Sequence, residues 1–204
     1  MSLKGEVPQR RRGAALETAL LDAAWAELAE RGYDDLTIDA VATRAGTSRA
    51  VLYRRWPGKH ELMLAALVHQ ARAEPVAIPD TGSLRGDVIA VMHEANKVRP
   101  RLVAQLLTRL GGFYADASTN LAELSAYVLG GRNAVTDELI GRAVERGEVE
   151  PGQISGRVAR LPIDLFRHEL LMTLQPVADE VIEEIVDGIF LPLVRLGADD
   201  QRPT

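Results

Sequence analysis

TIDAVATRAGTSRAVLYRRWPGKHEL, residues Thr37 to Leu62, is the stretch around which the rest of the chain is organised. It holds two short helical patterns, Ile38–Arg44 and Ser48–Arg54, joined by Ala45-Gly46-Thr47. Gly46 stands where a tight turn needs a backbone with positive φ, which glycine adopts without a Cβ clash. Thr37 and Ser48 each sit at a helix start, where a hydroxyl can accept a bond from an orphan amide. Ile38, Val41 and Ala42 give the first helix an apolar stripe, and Val51 and Leu52 give the second a smaller one. The second helix is short and crowded with donors: Ser48, Arg49, Tyr53, Arg54 and Arg55, with Lys59 just beyond. Any helical hairpin with a glycine turn shares the outline. The basic and hydroxyl crowding is what favours a helix-turn-helix, in which one helix crosses the DNA backbone and the next enters the major groove.

Upstream, Leu20, Ala23, Ala24, Leu28, Gly32 and Tyr33 precede the motif. With Thr37, Ile38, Val41, Ala42, Ala45-Gly46-Thr47-Ser48, Leu52-Tyr53, Trp56-Pro57, Lys59 and Leu62 they form a pattern over roughly residues 14–68. That pattern resembles the DNA-binding domain of the TetR family of one-component bacterial repressors. Trp56 stands where that family usually has Phe, and Arg54 where His or Arg is common; both keep the chemistry. The resemblance implies an all-α protein. A three-helix DNA-binding domain with its linking helix is expected over 14–72, and a helical effector-binding and dimerisation domain over 83–204. It also implies a cytoplasmic homodimer that binds an inverted-repeat operator on double-stranded DNA, represses, and is released by a small organic effector. Thr37, Tyr53 and Lys59 match family positions that touch phosphates, fixing register and not sequence. Thr47, Ser48, Arg49 and Ala50 begin the recognition helix and are expected to face base edges. Arg49 suits a bidentate contact to guanine and Ala50 a thymine methyl. Arg54 and Arg55 are expected on phosphates. Tyr53 has a second reading as a half-buried core tyrosine.

Composition agrees. The 204 residues suffice for one or two small domains with a real core. Aromatics are only 4 %, and Ala, Leu, Glu and Arg dominate, which favours helix. The net charge of −5 is unevenly divided: 11 Lys/Arg face 9 Asp/Glu in residues 1–72, but 13 face 20 in residues 73–204. The basic excess therefore lies with the motif. There is no cysteine, so neither a disulfide framework nor a thiolate metal site is expected. No apolar run reaches the ~18 residues of a membrane helix, and the N-terminus has no signal-peptide core. Residues 1–13, with Arg10, Arg11 and Arg12, read as a basic solvated arm able to order on phosphates or in a minor groove.

The first helix is predicted over Ala14–Arg31, with Gly32 as its terminator. Beyond Lys59 a fourth helix runs to about Arg72, and Glu74–Gly82 reads as a loop and domain boundary from its Pro, Asp and Gly content. Further helical patterns cover Ser83–Val98, Arg101–Tyr114, Thr119–Glu145, Ile154–Leu174 and Ala178–Leu196, with Pro100 and Pro176 among the separators. The last two carry a broad apolar stripe. Leu165, Met172, Ile182, Ile185, Ile189 and Phe190 are candidates for a dimer interface that would form a four-helix bundle with the symmetry mate, against the plainer reading of intrachain core. The effector pocket comes from the resemblance. His93, Asn96 and Arg109 are candidate polar linings and Phe113, Tyr127 and Phe166 candidate walls, although for any one of them a surface or satisfied-core role is the favoured reading.

The four histidines (His60, His69, His93, His168) fit no metalloprotease motif, and no nucleophile–base arrangement or phosphate-cradling glycine loop is present. No catalytic, metal or cofactor role is expected. The rival class is a helical dimer acting through protein contacts, which an intact Arg49, Tyr53 and Lys59 disfavour.

Overall fold

A computed structural model describes residues 13–116 and 134–199. Every regular element among them is helical. In order they are α1 (Ala14–Asp35), α2 (Ile38–Arg44), α3 (Arg49–Tyr53), α4 (Lys59–Ala73), α5 (Leu84–Arg109), α6 (Gly111–Asp116), α7 (Ala134–Glu145), α8 (Gly156–Thr173), α9 (Asp179–Glu183), a π-helical stretch (Glu184–Phe190) and α10 (Leu191–Asp199). The expected all-α class holds. Residues 10–12, Tyr127 and the part of the predicted 119–145 helix before residue 134 lie outside the described residues.

The chain divides into two compact units. Of the described residues, 13–70 together with 109–116 form the first, and 71–108 together with 134–199 form the second. In the first unit, Leu20, Ala24 and Leu28 recur along one face of α1 and are buried with Val41, Leu52, Leu62, Leu67 and Phe113. Gly32 interrupts α1 with a φ of 78°, but one further helical turn follows and buries Tyr33. The predicted stop at Arg31 is therefore a break within a longer helix.

In the second unit, Leu84, Val88, Val91 and Met92 of α5 pack with Leu139 and Ala143, with Phe166 and Leu170, and with Ile182, Ile185, Val186, Phe190 and Val194. The predicted break at Pro100 does not occur, because α5 runs through it to Arg109. Proline removes one amide donor and crowds the preceding turn. Here Val91 and Met92 on one side and Leu102 on the other are buried, so packing holds both flanks in one helix.

The predicted helix Ala178–Leu196 is regular only in parts. The Leu191 amide bonds the Val186 carbonyl, five residues back. Pro192 has no amide to offer the Gly188 carbonyl, and its ring would crowd that oxygen in α geometry, so a wider turn accommodates it.

The 74–82 connection is tethered to its unit. Val76 and Ile78 pack against the core, and Arg142 donates to the carbonyls of Ile78 (3.2 Å) and Pro79 (3.0 Å). Fully buried Asp87 accepts from the Thr81 amide (2.6 Å), the Thr81 hydroxyl (2.7 Å) and Arg146 (2.9 Å). Arg146 also reaches Asp80 and Glu148, and Glu148 accepts from the Leu84 amide at the start of α5. Burial pushes the Asp87 carboxyl up, but these donors outweigh it and hold it below the usual range.

At the other end of the unit, Gln153 donates to the Val194 carbonyl (2.9 Å). A Cβ on Gly197 would stand 2.7 Å from the Gln153 backbone oxygen. Gly197→Ala is expected to destabilise by about 1–3 kcal/mol through this backbone clash. A thermal melt matching the parent chain would contradict so close an approach.

Candidate nucleic-acid interface

The turn between α2 and α3 is built by backbone bonds. Gly46, at φ 67°, donates to the Thr43 carbonyl (3.1 Å), and Thr47 donates to Ala42 (2.9 Å). These are the paired bonds of a glycine-terminated helix end. The Thr37 hydroxyl accepts from the Ala40 amide (3.1 Å) and so starts α2, while its own proton stays available to a phosphate oxygen. Ser48 occupies the corresponding place before α3, but its hydroxyl makes no capping bond. The predicted cap is thus absent, because the Val51 amide is met by the Ser48 carbonyl instead.

Charge fixes α2 against α1. Arg44, in the last turn of α2, donates to Glu27 (2.7 Å) and to both carboxylate oxygens of Glu30, one of them at 2.9 Å. Arg31 also pairs with Glu27 (3.0 Å), a buried carboxylate that needs such partners. Arg44's hydrogen bond holds the Glu30 carboxyl below its ordinary range. This positioning group escaped the sequence reading. Nothing local in the sequence links Glu27 and Glu30 to residue 44.

The result is one outward face. Ser48, Arg49, Ala50, Tyr53 and Arg54 are all exposed on α3 or at its ends, with Thr37 exposed and Thr47 half-buried nearby. Tyr53 is 53 % exposed, so it is not a core residue. Val51 and Trp56 are partly buried and Leu52 fully, which seats the helix from behind. Arg49 is held loosely, 3.9 Å from Asp39 on α2, with both side chains mostly in solvent. Arg54 makes no hydrogen bond or ion pair among the described residues. Arg55 differs: it donates to Glu17 of α1 (3.0 Å) and so braces the unit. Lys59 donates to the Asp34 carbonyl (3.1 Å) and lies 4.2 Å from the Tyr33 ring centre. One of its three ammonium donors is thereby used.

Other predicted site residues are scattered. Phe113 is in the first unit, fully buried, stacked on His60 (4.2 Å, 20°) and edge-on to Tyr33 (5.4 Å). It fills a core and is not a pocket wall in the second unit. Arg109 is exposed at the end of α5. Asn96 exchanges two bonds with the Val177 backbone (2.8 and 3.0 Å), fixing the turn before α9 and leaving little of its amide for a ligand. His93 stands 3.5 Å from Asp179, and Phe166 is core. Arg109 and Phe113 thus fall in the first unit, and His93, Asn96 and Phe166 in the second.

The dimer candidates also separate. Ile182, Ile185 and Phe190 are buried in their own unit's core, and Leu165 is partly buried against it. The broad stripe is thus largely intrachain, with one row turned inward. Met172 (68 % exposed) and Ile189 remain outside, joined by Leu193 and Leu196 (63 %). Among the described residues no helix is long and apolar enough to cross a membrane, and no cluster of metal-ligating side chains forms.

Two family models match: "Bacterial regulatory proteins, tetR family" over residues 20–66, and "Tetracyclin repressor-like, C-terminal domain" over residues 78–189. The chain is 33 % identical over 179 residues to an HTH-type transcriptional regulator of Mycobacterium bovis, described as uncharacterized, covering 86 % of each. It is 30 % identical over 192 residues to the DNA-binding transcriptional repressor TetR of Mycobacteroides abscessus, covering 92 % of this chain and 98 % of that one. Among solved structures, the flavonoid-responsive regulator FrrA shares the fold with a TM-score of 0.62 at 20 % identity, covering 90 % of this chain and 97 % of that one. A helix-turn-helix with an open donor-rich face, matched by both halves of one family, places this chain in the tetR family of bacterial regulatory proteins, as a DNA-binding transcription regulator and not an enzyme.

Proposed function

We propose that the chain is a cytoplasmic repressor that binds an inverted-repeat operator as a homodimer and leaves it when a small organic effector binds. The observation carrying this is the exposed run Ser48, Arg49, Ala50, Tyr53 and Arg54, seated on buried Leu52. Short, uncommitted donors at the start of a recognition helix suit base edges, and those at its end suit phosphates. In this reading Thr47, Ser48, Arg49 and Ala50 read bases, while Thr37, Tyr53, Arg54 and Lys59 fix register. The description of the Mycobacteroides abscessus relative as a repressor supports the direction of regulation. Residues 14–72 would act as the DNA-binding domain with its linking helix, and 83–204 as the effector-binding and dimerisation domain.

Exposed Met172, Ile189, Leu193 and Leu196 support a two-fold interface from α8 and the C-terminal helix, with Leu165 at its margin. A dimer matches a palindrome because half-sites recur about one helical turn, ~34–36 Å, apart. Release follows if the effector prefers a state whose recognition helices are wrongly spaced, since a ligand shifts an equilibrium only by its differential affinity.

Selection of random duplexes by the purified protein at two salt concentrations tests the reading. An enriched inverted repeat is expected; salt-sensitive binding with no motif would favour an interaction protein that no longer reads an operator. On the selected duplex, Arg49→Ala is expected to lose about 1–3 kcal/mol of discrimination at one base pair, and Lys59→Ala to weaken all sequences about equally with a shallower salt slope. An unchanged preference in Arg49→Ala removes that residue from base reading.

A further inference from the structure

We infer that Arg99 on α5 receives the anionic group of the effector, which is therefore an organic acid with an apolar body. The inference rests on the ligand-released reading above. The core-facing residues of α5 recur as Leu84, Val88, Val91, Met92, Ala95 and Leu102. At 3.6 residues per turn, position 99 falls on that same stripe, one turn past Ala95 and one before Leu102. A guanidinium thus occupies a place that the pattern reserves for an apolar side chain. It is half-buried and makes no hydrogen bond or ion pair among the described residues.

Three half-buried arginines of the unit are paired: Arg142 with Glu138, Arg146 with Asp80, Asp87 and Glu148, and Arg167 with Asp164; half-buried Arg160 is not paired among the described residues, but it does not lie on α5. Burial disfavours the charged form of Arg99, and among the described residues exposed Glu74 alone opposes this through its field. A cation left unpaired on an apolar stripe opposes folding. Its five donors in a planar fork match a carboxylate in two-point geometry, and partly buried Ala95, Pro100 and Val103 alongside suit an apolar body.

The full chain and its Arg99→Met variant are compared by thermal shift and calorimetry. The probes are hexanoate, octanoate and decanoate, each against the alcohol of equal length, with inorganic phosphate as a control for adventitious anions. Carboxylates are expected to raise the melting temperature of the parent chain saturably while the alcohols do not, and Arg99→Met is expected to bind them at least about tenfold more weakly. Without ligand, Arg99→Met is expected to melt about 2–4 °C higher, because an unpaired charge has left the apolar stripe. Equal binding by both proteins, equal effects of alcohols, no effect of any carboxylate, or a lower ligand-free melting temperature for Arg99→Met would each overturn the assignment. Binding of the selected duplex without carboxylate is read separately. Carboxylates that bind through Arg99 yet leave operator affinity unchanged would keep the site and sink effector-driven release.

Discussion

Asp87→Ala lowers the stability of the chain by about 3 kcal/mol, the expected effect of breaking a buried ion pair by removing one partner. At roughly 2–4 °C per kcal/mol for a chain of this size, the melting temperature falls by about 6–12 °C. The substitution removes the acceptor for the Thr81 amide, the Thr81 hydroxyl and Arg146 at once. Arg146 retains Asp80 and Glu148, but the Thr81 amide loses its carboxylate. The tie between the 78–83 connection, the start of α5 and the end of α7 is therefore loosened.

The pH dependence has a definite sign. The folded Asp87 carboxyl lies below its ordinary value, so its stabilisation is complete above the unfolded value of about 3.9 and is lost as the pH falls through the lower folded value. The gap between parent and variant is expected to be constant above about pH 5 and to close progressively below about pH 4. Circular dichroism melts across that range check both claims. A gap that persists unchanged into strong acid would show that packing, and not the charged carboxylate, is what the variant removed.

Phe113→Ala is expected to destabilise the first unit by about 3–5 kcal/mol, the usual range for emptying a buried aromatic site. The ring is fully buried and touches His60, Tyr33 and Tyr114 in defined geometry. Tyr33 in turn carries Lys59 over its face. Loss of the ring therefore reaches a proposed phosphate contact through one intervening side chain. Limited proteolysis of the helix-turn-helix region and affinity for the selected duplex are both expected to suffer, and Phe113→Leu to recover most of the loss. Intact operator affinity in Phe113→Ala would detach this cluster from DNA binding.

The helix-turn-helix was legible because its determinants are local. Gly46, the Thr37 cap, the apolar positions of α2 and the donor-rich start of α3 all act within a few residues of one another. What escaped was non-local. Phe113 stood in a stretch that pattern alone would give to the regulatory half, and its partners Tyr33 and His60 are remote in sequence. Asn96 had the look of a pocket donor until the Val177 backbone, 81 residues away, was seen to use both ends of its amide. The prolines misled in opposite directions. Pro100 promised a break that buried flanks overrode, and Pro192 lay within a pattern that looked regular although its missing amide widens the preceding turn. The last apolar stripe was seen, but which row faces inward depends on that widened turn.

The first unit is not contiguous in sequence: residues 109–116 belong to it although all of α5 up to Thr108 belongs to the other. Its core is therefore encoded in two places, and exchange of regulatory halves between relatives cannot be a simple cut between α4 and α5. A chimera joined there would bring its own residue to position 113, to be fitted against this chain's Tyr33 and His60. Workable hybrids would transplant the 109–116 segment with the amino-terminal helices, or draw both parents from lineages in which those three positions have changed together.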